Sequence, residues 1–145
     1  MSEEDEHYRK LERMYASAPI NDFFRPRLHI TAGRAELEFD VREEFFHAAR
    51  AMHGAAYFKA LDDASFFAAN SVVTDVFVLT VSYTIYLTRP VTGGVLRCVG
   101  RVVHRSRNLL LAEAELTDDQ GRQVARGSGS FMPGRTPLSA DIGYA

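Results

Sequence analysis

Residues 54–71, GAAYFKALDDASFFAANS, decide the fold of this chain. The stretch has no proline and is rich in alanine, with leucine, phenylalanine and tyrosine, a composition that favours helix. Its apolar residues cover most of the helical circumference, which is typical of a helix buried in a larger structure. The simplest way for a chain of 145 residues to bury this helix is to wrap a curved sheet around it.

The segments before and after this helix contain the elements of such a sheet. A helix is predicted over residues 3–17, where apolar residues recur at three- and four-residue spacing and Pro19 follows. A hairpin is predicted from Arg27 to Val41, because AELEFDV alternates clearly between apolar and polar residues.

The second half of the chain is predicted to form a meander of four strands and a tail. The strands are expected over residues 77–87, 95–105, 109–118 and 122–132. The tail, residues 133–145, has a turn-rich composition and is predicted to be extended or loose. We therefore predict one α+β domain over residues 1–145, with a largely antiparallel sheet and a core over about 27–132.

Composition and charge exclude several classes of protein. The net charge of −2 and the pI near 6.2 are less basic than a general nucleic-acid binder would be. The chain has no run of about 18 apolar residues, and its acidic N-terminus differs from a signal peptide. The single cysteine, Cys98, excludes an internal disulfide framework and is expected in the core. We expect a cytoplasmic protein without nucleic-acid or membrane partners.

Two adjacent acids, Asp62 and Asp63, are the chemical centre of the predicted helix. A carboxylate can take a proton from water or attack an acyl group directly. Neighbouring helical residues point about 100° apart, so the two acids cannot face one site. Lys59 stands four residues before Asp63, a spacing that favours Asp63 as the ion-paired, structural acid. Asp62 is therefore the candidate reactive acid, with Asp63 as the alternative.

The start of the helix offers a hydrogen-bond donor. The N–H of Gly54 would lack a partner within the helix and lie at the positive end of the helix dipole, where an oxyanion is stabilised. Taken alone, it is more simply a helix-start glycine. His53 and His47 are candidates for capping or packing, and no third ligand has the spacing of a metal site. No metal is expected.

The position of Thr80 on its predicted strand permits two interpretations. Strand alternation places it on the polar side, where it could hold Asp62 or a water molecule by a hydrogen bond, although strands also favour threonine in general. The same alternation assigns one apolar face to Phe77, Leu79, Val81, Tyr83, Ile85 and Leu87.

Arginine and asparagine side chains cluster at the connection HRSRNL. The planar fork of arginine suits phosphate groups, which makes Arg105, Arg107 and Asn108 candidates for binding a phosphorylated ligand. Alternation also places Arg105 on one strand face with Arg97 and Arg101, which fits a solvated, arginine-rich strand equally well.

Taken together, these residues resemble the hot-dog fold acyl-CoA thioesterases, most of all the phenylacetate-degradation type. That family opens its central helix with His-Gly-Gly, places an acid nine residues after the histidine, and carries a hydroxyl residue on a later strand that ends in proline. Here His-Gly-Ala at 53–55 opens the helix, Asp62 is the acid, and Thr80 stands ten residues before Pro90. The stretch from Gly100 to Phe131 is similar to the family's last three strands, so the resemblance covers roughly residues 27–132.

Two positions depart from the family pattern. Ala55 replaces the second glycine of the motif. His47 stands six residues before the motif histidine, where many members carry an asparagine that helps to position the thioester or the water. These departures bear on the details of the mechanism more than on the class of enzyme.

The resemblance implies a curved antiparallel sheet wrapped around one helix and hydrolysis of an acyl-CoA to free acid and coenzyme A. It implies that Asp62 activates water or attacks the thioester and that the Gly54 N–H stabilises the oxyanion. His53 would fix the geometry of the helix start, and His47 and Thr80 would orient the reacting groups.

The resemblance also implies a partner and a mode of substrate binding. Arg105, Arg107 and Asn108 would hold the phosphates of coenzyme A, which is part of the substrate, so no separate cofactor is implied. The family's site lies between two subunits, which implies a homodimer, often paired into a homotetramer.

Two other functions stay open. A hot-dog enoyl-CoA hydratase or dehydratase would pair a catalytic histidine with the acid across the site. A non-catalytic acyl-CoA binding protein is the other possibility, and Ala55 and His47 leave room for it. The acyl group stays unnamed, because the aromatic residues of the helix could line an apolar pocket or belong to the core: Tyr57, Phe58, Phe66 and Phe67.

Overall fold

The computed structural model describes residues 1–145. The helices are α1 (Glu3–Ser17), α2 (Asn21–Phe24) and α3 (Gly54–Ser71), and short 3₁₀ turns lie at Glu43–Phe45 and Ala140–Ile142. The strands are β1 (Arg27–Thr31), β2 (Arg34–Asp40), β3 (Val76–Leu87), β4 (Val95–Arg105), β5 (Leu110–Thr117) and β6 (Gln123–Pro137). None of the helices combines the length and apolarity that crossing a bilayer requires.

The six strands form one antiparallel sheet in the order β1-β2-β4-β5-β6-β3, and α3 packs against one face of it. This arrangement confirms the predicted hot-dog fold with an extra N-terminal helix. Helix and sheet approach closely at Gly100, where an added Cβ would lie 2.3 Å from the backbone oxygen of Ala64.

The predicted meander is wrong at one strand, because β3 pairs with β6 at the far edge of the sheet instead of with β4. The end of α3 fixes this position. The buried Asn70 side chain accepts a hydrogen bond from the Val78 N–H and donates to the carbonyls of Val73 and Val76. The chain then returns through residues 88–94, and β4 pairs with β2.

The tail is also more ordered than predicted. Strand β6 continues through Pro137, which pairs with Val76, so residues 133–137 belong to the sheet. The last residues pack on α1, where the Tyr144 hydroxyl lies 2.7 Å from His7 Nδ1. Gly143, at φ +90°, permits this contact, because a Cβ there would lie 2.4 Å from the Ser17 hydroxyl.

Helix α3 is buried on every side except one stripe. Its core-facing residues include Leu61, Ala64 and Ala68, all fully buried. Beyond its first residue, Gly54, the less buried positions follow the three- and four-residue spacing of one helical face: Ala55, Phe58, Lys59, Asp62 and Asp63. Asp62 therefore lies on the only open face of the central helix. Cys98 is fully buried opposite this helix, as predicted.

Two β-bulges change the predicted faces of the strands. The register shift around Val81 leaves Thr80 directed at α3, while Leu79 and Val81 are about half exposed and Tyr83 reaches back to α3. The predicted common apolar face of β3 is therefore wrong, because each bulge inserts one residue into the alternation.

A second shift, around Val103 in β4, separates Arg105 from Arg97 and Arg101. The Arg105 guanidinium donates to the carbonyl of Val72 at the end of α3, while Arg97 pairs with Glu36 on the sheet. The predicted common face of the three arginines is wrong for the same reason.

Gly100→Ala is expected to lower the free energy of unfolding by about 1–3 kcal/mol, the usual cost of forcing extra volume into a packed interior. The added methyl group would push against the backbone of α3 and force the helix away from β4. Urea unfolding of wild type and variant measures the difference. Gly93→Ala is the control, because nothing lies within 4 Å of its added Cβ. Equal midpoints for the two variants would contradict this packing account.

Candidate active site

Asp62 has the environment of a functional acid. Its Oδ1 accepts a hydrogen bond from the Thr80 hydroxyl at 2.9 Å, which is the contact that the sequence made plausible. Burial raises the pKa of Asp62 to about 6, against the lowering effect of the Thr80 hydrogen bond and of Lys59, and Asp63 adds a further raising effect. An acid with a pKa just below neutral suits general-base chemistry.

Asp63 is held in a structural network, as the spacing predicts. Its Oδ2 accepts hydrogen bonds from Lys59 Nζ and from the Tyr15 hydroxyl, both at 2.5 Å. Burial and the negative charge of Asp63 raise the pKa of Tyr15, so the phenol stays protonated and donates. The two neighbouring acids therefore differ: Asp63 is neutralised by a cation, and Asp62 has only one neutral donor.

An apolar cavity of about 730 Å³ opens at Asp62 and Thr80. This volume falls within the range of small-molecule sites. Phe66 and Phe67 of α3 line it, as do Phe77 at the start of β3 and Tyr15 of α1. Of the aromatic residues proposed from the sequence, Phe66 and Phe67 thus face this cavity, whereas the Phe58 ring packs edge-on against Tyr83.

A second cavity, of about 320 Å³, lies at the start of α3. Its lining includes Gly54, His47 and Tyr57, together with Leu87 from the end of β3. The Gly54 N–H has no acceptor within the chain, because it is the first residue of the helix. The tyrosine hydroxyl is occupied, since it donates to the carbonyl of Arg89.

Both histidines near this cavity are held by backbone amides. His53 Nδ1 accepts from the Ala55 N–H at 2.8 Å and caps α3, so it fixes the helix start. His47 Nδ1 accepts from the Ala49 N–H at 3.0 Å. A neutral imidazole that accepts at Nδ1 carries its proton on Nε2, so His47 presents an N–H donor beside Gly54.

The two halves of the predicted site do not meet within one chain. Gly54 precedes Asp62 by eight residues, which corresponds to about 12 Å along the helix axis. Thr80 and Leu87, which belong to the two cavities, lie towards opposite ends of β3. One chain therefore offers an acid at one place and an unpaired backbone amide, that of Gly54, at another.

Comparison with known proteins identifies the family. The Thioesterase superfamily profile matches residues 50–125, more than half of the chain, and this range includes Gly54, Asp62 and Thr80. The chain belongs to the thioesterase superfamily. A candidate esterase from Saccharolobus solfataricus is 26% identical over 113 residues, which are 78% of this chain and 81% of the relative.

Two solved structures with the same fold as this chain come from proteins named for phenylacetic acid degradation. The E. coli PaaI protein superposes with a TM-score of 0.85 at 19% identity, over 95% of this chain and 100% of that chain. A thioesterase-like protein from Ralstonia eutropha JMP134 gives a TM-score of 0.77 at 22% identity, over 87% and 98% of the two chains. At these identities the likeness concerns the fold.

In this thioesterase-superfamily chain, the residues predicted to bind phosphate lie at a third place, apart from the Asp62 cavity and the Gly54 cavity. Arg105, Arg107 and Asn108 line a polar cavity of about 790 Å³ at the end of α3. The Arg105 guanidinium donates to the carbonyl of Val72 at 3.0 Å. Val72 follows Asp62 by ten residues, or about 15 Å along the helix axis, so these side chains are remote from the acid of their own chain.

Some walls of the apolar cavity at Asp62 are not predictable from the sequence. Tyr15 lies in the predicted helix 3–17 and Ile142 in the predicted tail, and neither position indicated a part in the site. The Tyr15–Asp63 bond joins residues 48 apart, which a local pattern does not reveal. The turn-rich composition of the tail does not indicate which part of the protein the tail packs against.

Proposed function

We propose that this protein hydrolyses acyl-CoA thioesters, with Asp62 as the residue that activates water. The observation that carries the proposal is Asp62 itself: an acid with a pKa of about 6, oriented by Thr80, at the wall of an apolar cavity of acyl-group size. Membership of the thioesterase superfamily supports the reaction class. With such a substrate, we expect the protein to work in the cytoplasm.

The proposed reaction is a hydrolysis in two steps. The Thr80 bond occupies Oδ1 of Asp62, so Oδ2 accepts the proton of a water molecule whose oxygen attacks the thioester carbon. The Nε2–H of His47 polarises the thioester carbonyl, and the Gly54 N–H stabilises the oxyanion that forms on its oxygen. The carbon–sulfur bond then breaks, the thiolate of coenzyme A takes up the proton that Asp62 accepted from the water, and the carboxylic acid is released, which leaves Asp62 ionised for the next turnover.

We propose that this site forms between two copies of the chain. Strand β3 has one unpaired edge, and its sequence VFVLTVSYTIYL contains neither a charged residue nor a proline to protect that edge. Antiparallel pairing of β3 with a second copy, about a two-fold axis between Tyr83 and Thr84, sets Thr80 opposite Leu87 of the partner subunit. The Asp62 cavity of one copy then faces the Gly54 cavity of the other.

In this dimer the remaining residues have supporting roles. His53 holds the helix start so that the Gly54 N–H points outward. We propose that the phosphates of coenzyme A bind to Arg105, Arg107 and Asn108. The long pantetheine arm of coenzyme A allows its phosphates to lie in a cavity remote from the thioester. The exposed Arg107 and Asn108 fit this role.

Hydrolysis across a panel of acyl-CoA substrates tests the proposal. The panel contains short, medium, long, phenylacetyl and hydroxybenzoyl groups, and free thiol is measured. We expect turnover on at least one member. Absence of turnover together with retained coenzyme A binding would favour the non-catalytic binding protein, and hydration of an enoyl-CoA would favour the hydratase.

The pH dependence follows from the ionised form of Asp62 acting as the base. We expect kcat/KM to rise with pH, with a midpoint near 6, and to level off above it. Thr80→Val removes a hydrogen bond that favours the carboxylate, so the midpoint should move upward while the maximal rate falls. Thr117→Val, on β5, is the control. An unchanged midpoint in Thr80→Val would contradict the role of this contact.

A further inference from the structure

We infer that the C-terminal segment of this chain, residues 138–145, is a fixed wall of the acyl cavity and that Ile142 limits the size of the acyl group. The inference rests on the proposed function and concerns the selectivity of that same site. Asp141, Ile142 and Gly143 line the cavity that opens at Asp62 and Thr80. These residues belong to one short turn, so the segment forms one side of the cavity.

The wall is fastened at both of its ends. At the first end, the Leu138 N–H donates to the carbonyl of Asp75, which follows α3. At the second end, the Arg13 guanidinium donates to the carbonyl of Ala145 at 2.6 Å, and the Lys10 ammonium lies 5.4 Å above the Tyr144 ring. The cavity-facing turn lies between these two attachments.

The buried His7 completes the attachment. Its Nε2 lies 3.0 Å from the carbonyl of Asn70, and because a carbonyl only accepts, this nitrogen carries the proton. The other ring nitrogen, Nδ1, lies 2.7 Å from the Tyr144 hydroxyl and forms a hydrogen bond with it. One buried histidine thus joins the tail to the end of α3, the helix that carries Asp62.

Ile142 is the residue of this wall that selects by size. It is half-buried and packs against the hydrophobic core, and it is the only large apolar side chain that the segment presents to the cavity. The neighbouring walls are rigid, because the Phe66 ring packs against Phe77 at 4.9 Å and against Phe67 at 5.0 Å. A change of volume at Ile142 therefore changes the space for the acyl group directly.

The test compares wild type, Ile142→Trp and Ile142→Ala on acetyl-CoA and on the bulkiest acyl-CoA that the wild type hydrolyses. We expect Ile142→Trp to lower the ratio of kcat/KM for the bulky substrate to that for acetyl-CoA by about tenfold or more, since one methylene in an apolar pocket already discriminates at that level. Ile142→Ala should raise the ratio for acyl groups longer than the wild-type optimum. Val95→Trp, on β4 outside this cavity, is the matched control and should leave the ratio unchanged.

A binding measurement separates this inference from the proposed function. Thioether analogues of the two substrates, which cannot be hydrolysed, are titrated into the same proteins by calorimetry. Tighter binding of the bulky analogue to wild type than to Ile142→Trp, without any turnover, would support the wall and overturn the thioesterase. Turnover with equal ratios and equal binding in all variants would overturn the wall and leave the thioesterase in place. Neither turnover nor binding would overturn both.

The variant Tyr144→Phe tests whether acyl-group selectivity depends on the attachment of the C-terminal segment to His7. This change removes only the hydroxyl that forms the hydrogen bond with His7 and keeps the ring beneath Lys10. We expect the selectivity ratio to move at least twofold towards that of Ile142→Ala, because a looser segment admits a larger group. A ratio identical to that of wild type would show that the tail is held without this bond and would overturn the fastening role of His7.

Discussion

Asp62→Asn is expected to lower kcat for thioester hydrolysis by about 10²- to 10⁴-fold, the range that a positioned general base contributes. Asparagine has nearly the same volume and still accepts the hydrogen bond from Thr80, so the cavity and the strand contact persist. What it cannot do is take up a proton from water. The measurement is free thiol release by wild type and variant at a pH well above 6, where the Asp62 carboxyl is ionised.

Asp63→Asn is the matched control for this experiment. It makes the same chemical change one residue away, on a carboxylate that pairs with Lys59 and accepts from Tyr15. Because this variant leaves a half-buried ammonium without its partner, we expect lower stability and a much smaller loss of kcat. A full loss of turnover in Asp63→Asn, with an active Asp62→Asn, would reverse the assignment of the two acids.

Gly54→Pro is expected to lower kcat by about 10²- to 10³-fold, the usual effect of removing one oxyanion-binding donor. Proline lacks the N–H but is well tolerated at the first position of a helix. The preceding residue, His53, has φ −66° and ψ 146°, a conformation that proline permits before it. The Gly54 amide has no acceptor within the chain, so the change breaks no internal hydrogen bond.

Gly54→Ala separates loss of the donor from loss of space. It keeps the N–H, and its added Cβ would lie 3.5 Å from Leu87 Cδ1, which is an ordinary contact. We expect this variant to retain most of the activity that Gly54→Pro loses. Equal losses in the two variants, measured by thiol release at saturating substrate, would mean that space and not hydrogen bonding explains the glycine.

The parts of the site that sequence alone predicted are those that depend on helical geometry. The period of about 3.6 residues separates Asp62 from Asp63, and the four-residue spacing pairs Lys59 with Asp63. The burial of α3 follows from its apolar circumference. In each case the interacting residues lie within one element, so the local sequence contains the necessary information.

The parts that were missed depend on contacts between distant segments. Strand alternation cannot reveal a bulge, and the register shifts around Val81 and Val103 therefore separate Tyr83 from the face of Leu79, and Arg105 from the face of Arg101. The place of β3 at the sheet edge depends on where α3 ends, through the contacts of Asn70. The tail packs through Tyr144 and His7, which are 137 residues apart.

These long-range placements matter for function. The bulge at Val81 gives Asp62 its hydroxyl partner, and the edge position of β3 leaves a strand free to pair with a second copy. For the proposed function, the most important consequence of the fold is that Asp62 and the Gly54 amide are separated within one chain. It makes the proposed site depend on two subunits, each of which supplies one half.

Mixing the two inactive variants tests this central claim most directly. Asp62→Asn and Gly54→Pro are combined in equal amounts, unfolded and refolded together, and assayed for thiol release. In a mixed dimer, one of the two sites joins an intact Asp62 to an intact Gly54 of the partner subunit. Half of the dimers are then mixed, and each mixed dimer has one intact site out of two. We therefore expect recovery of about one quarter of wild-type activity, as two-fold symmetry requires. No recovery, in a sample shown to contain mixed dimers, would contradict a site shared between subunits.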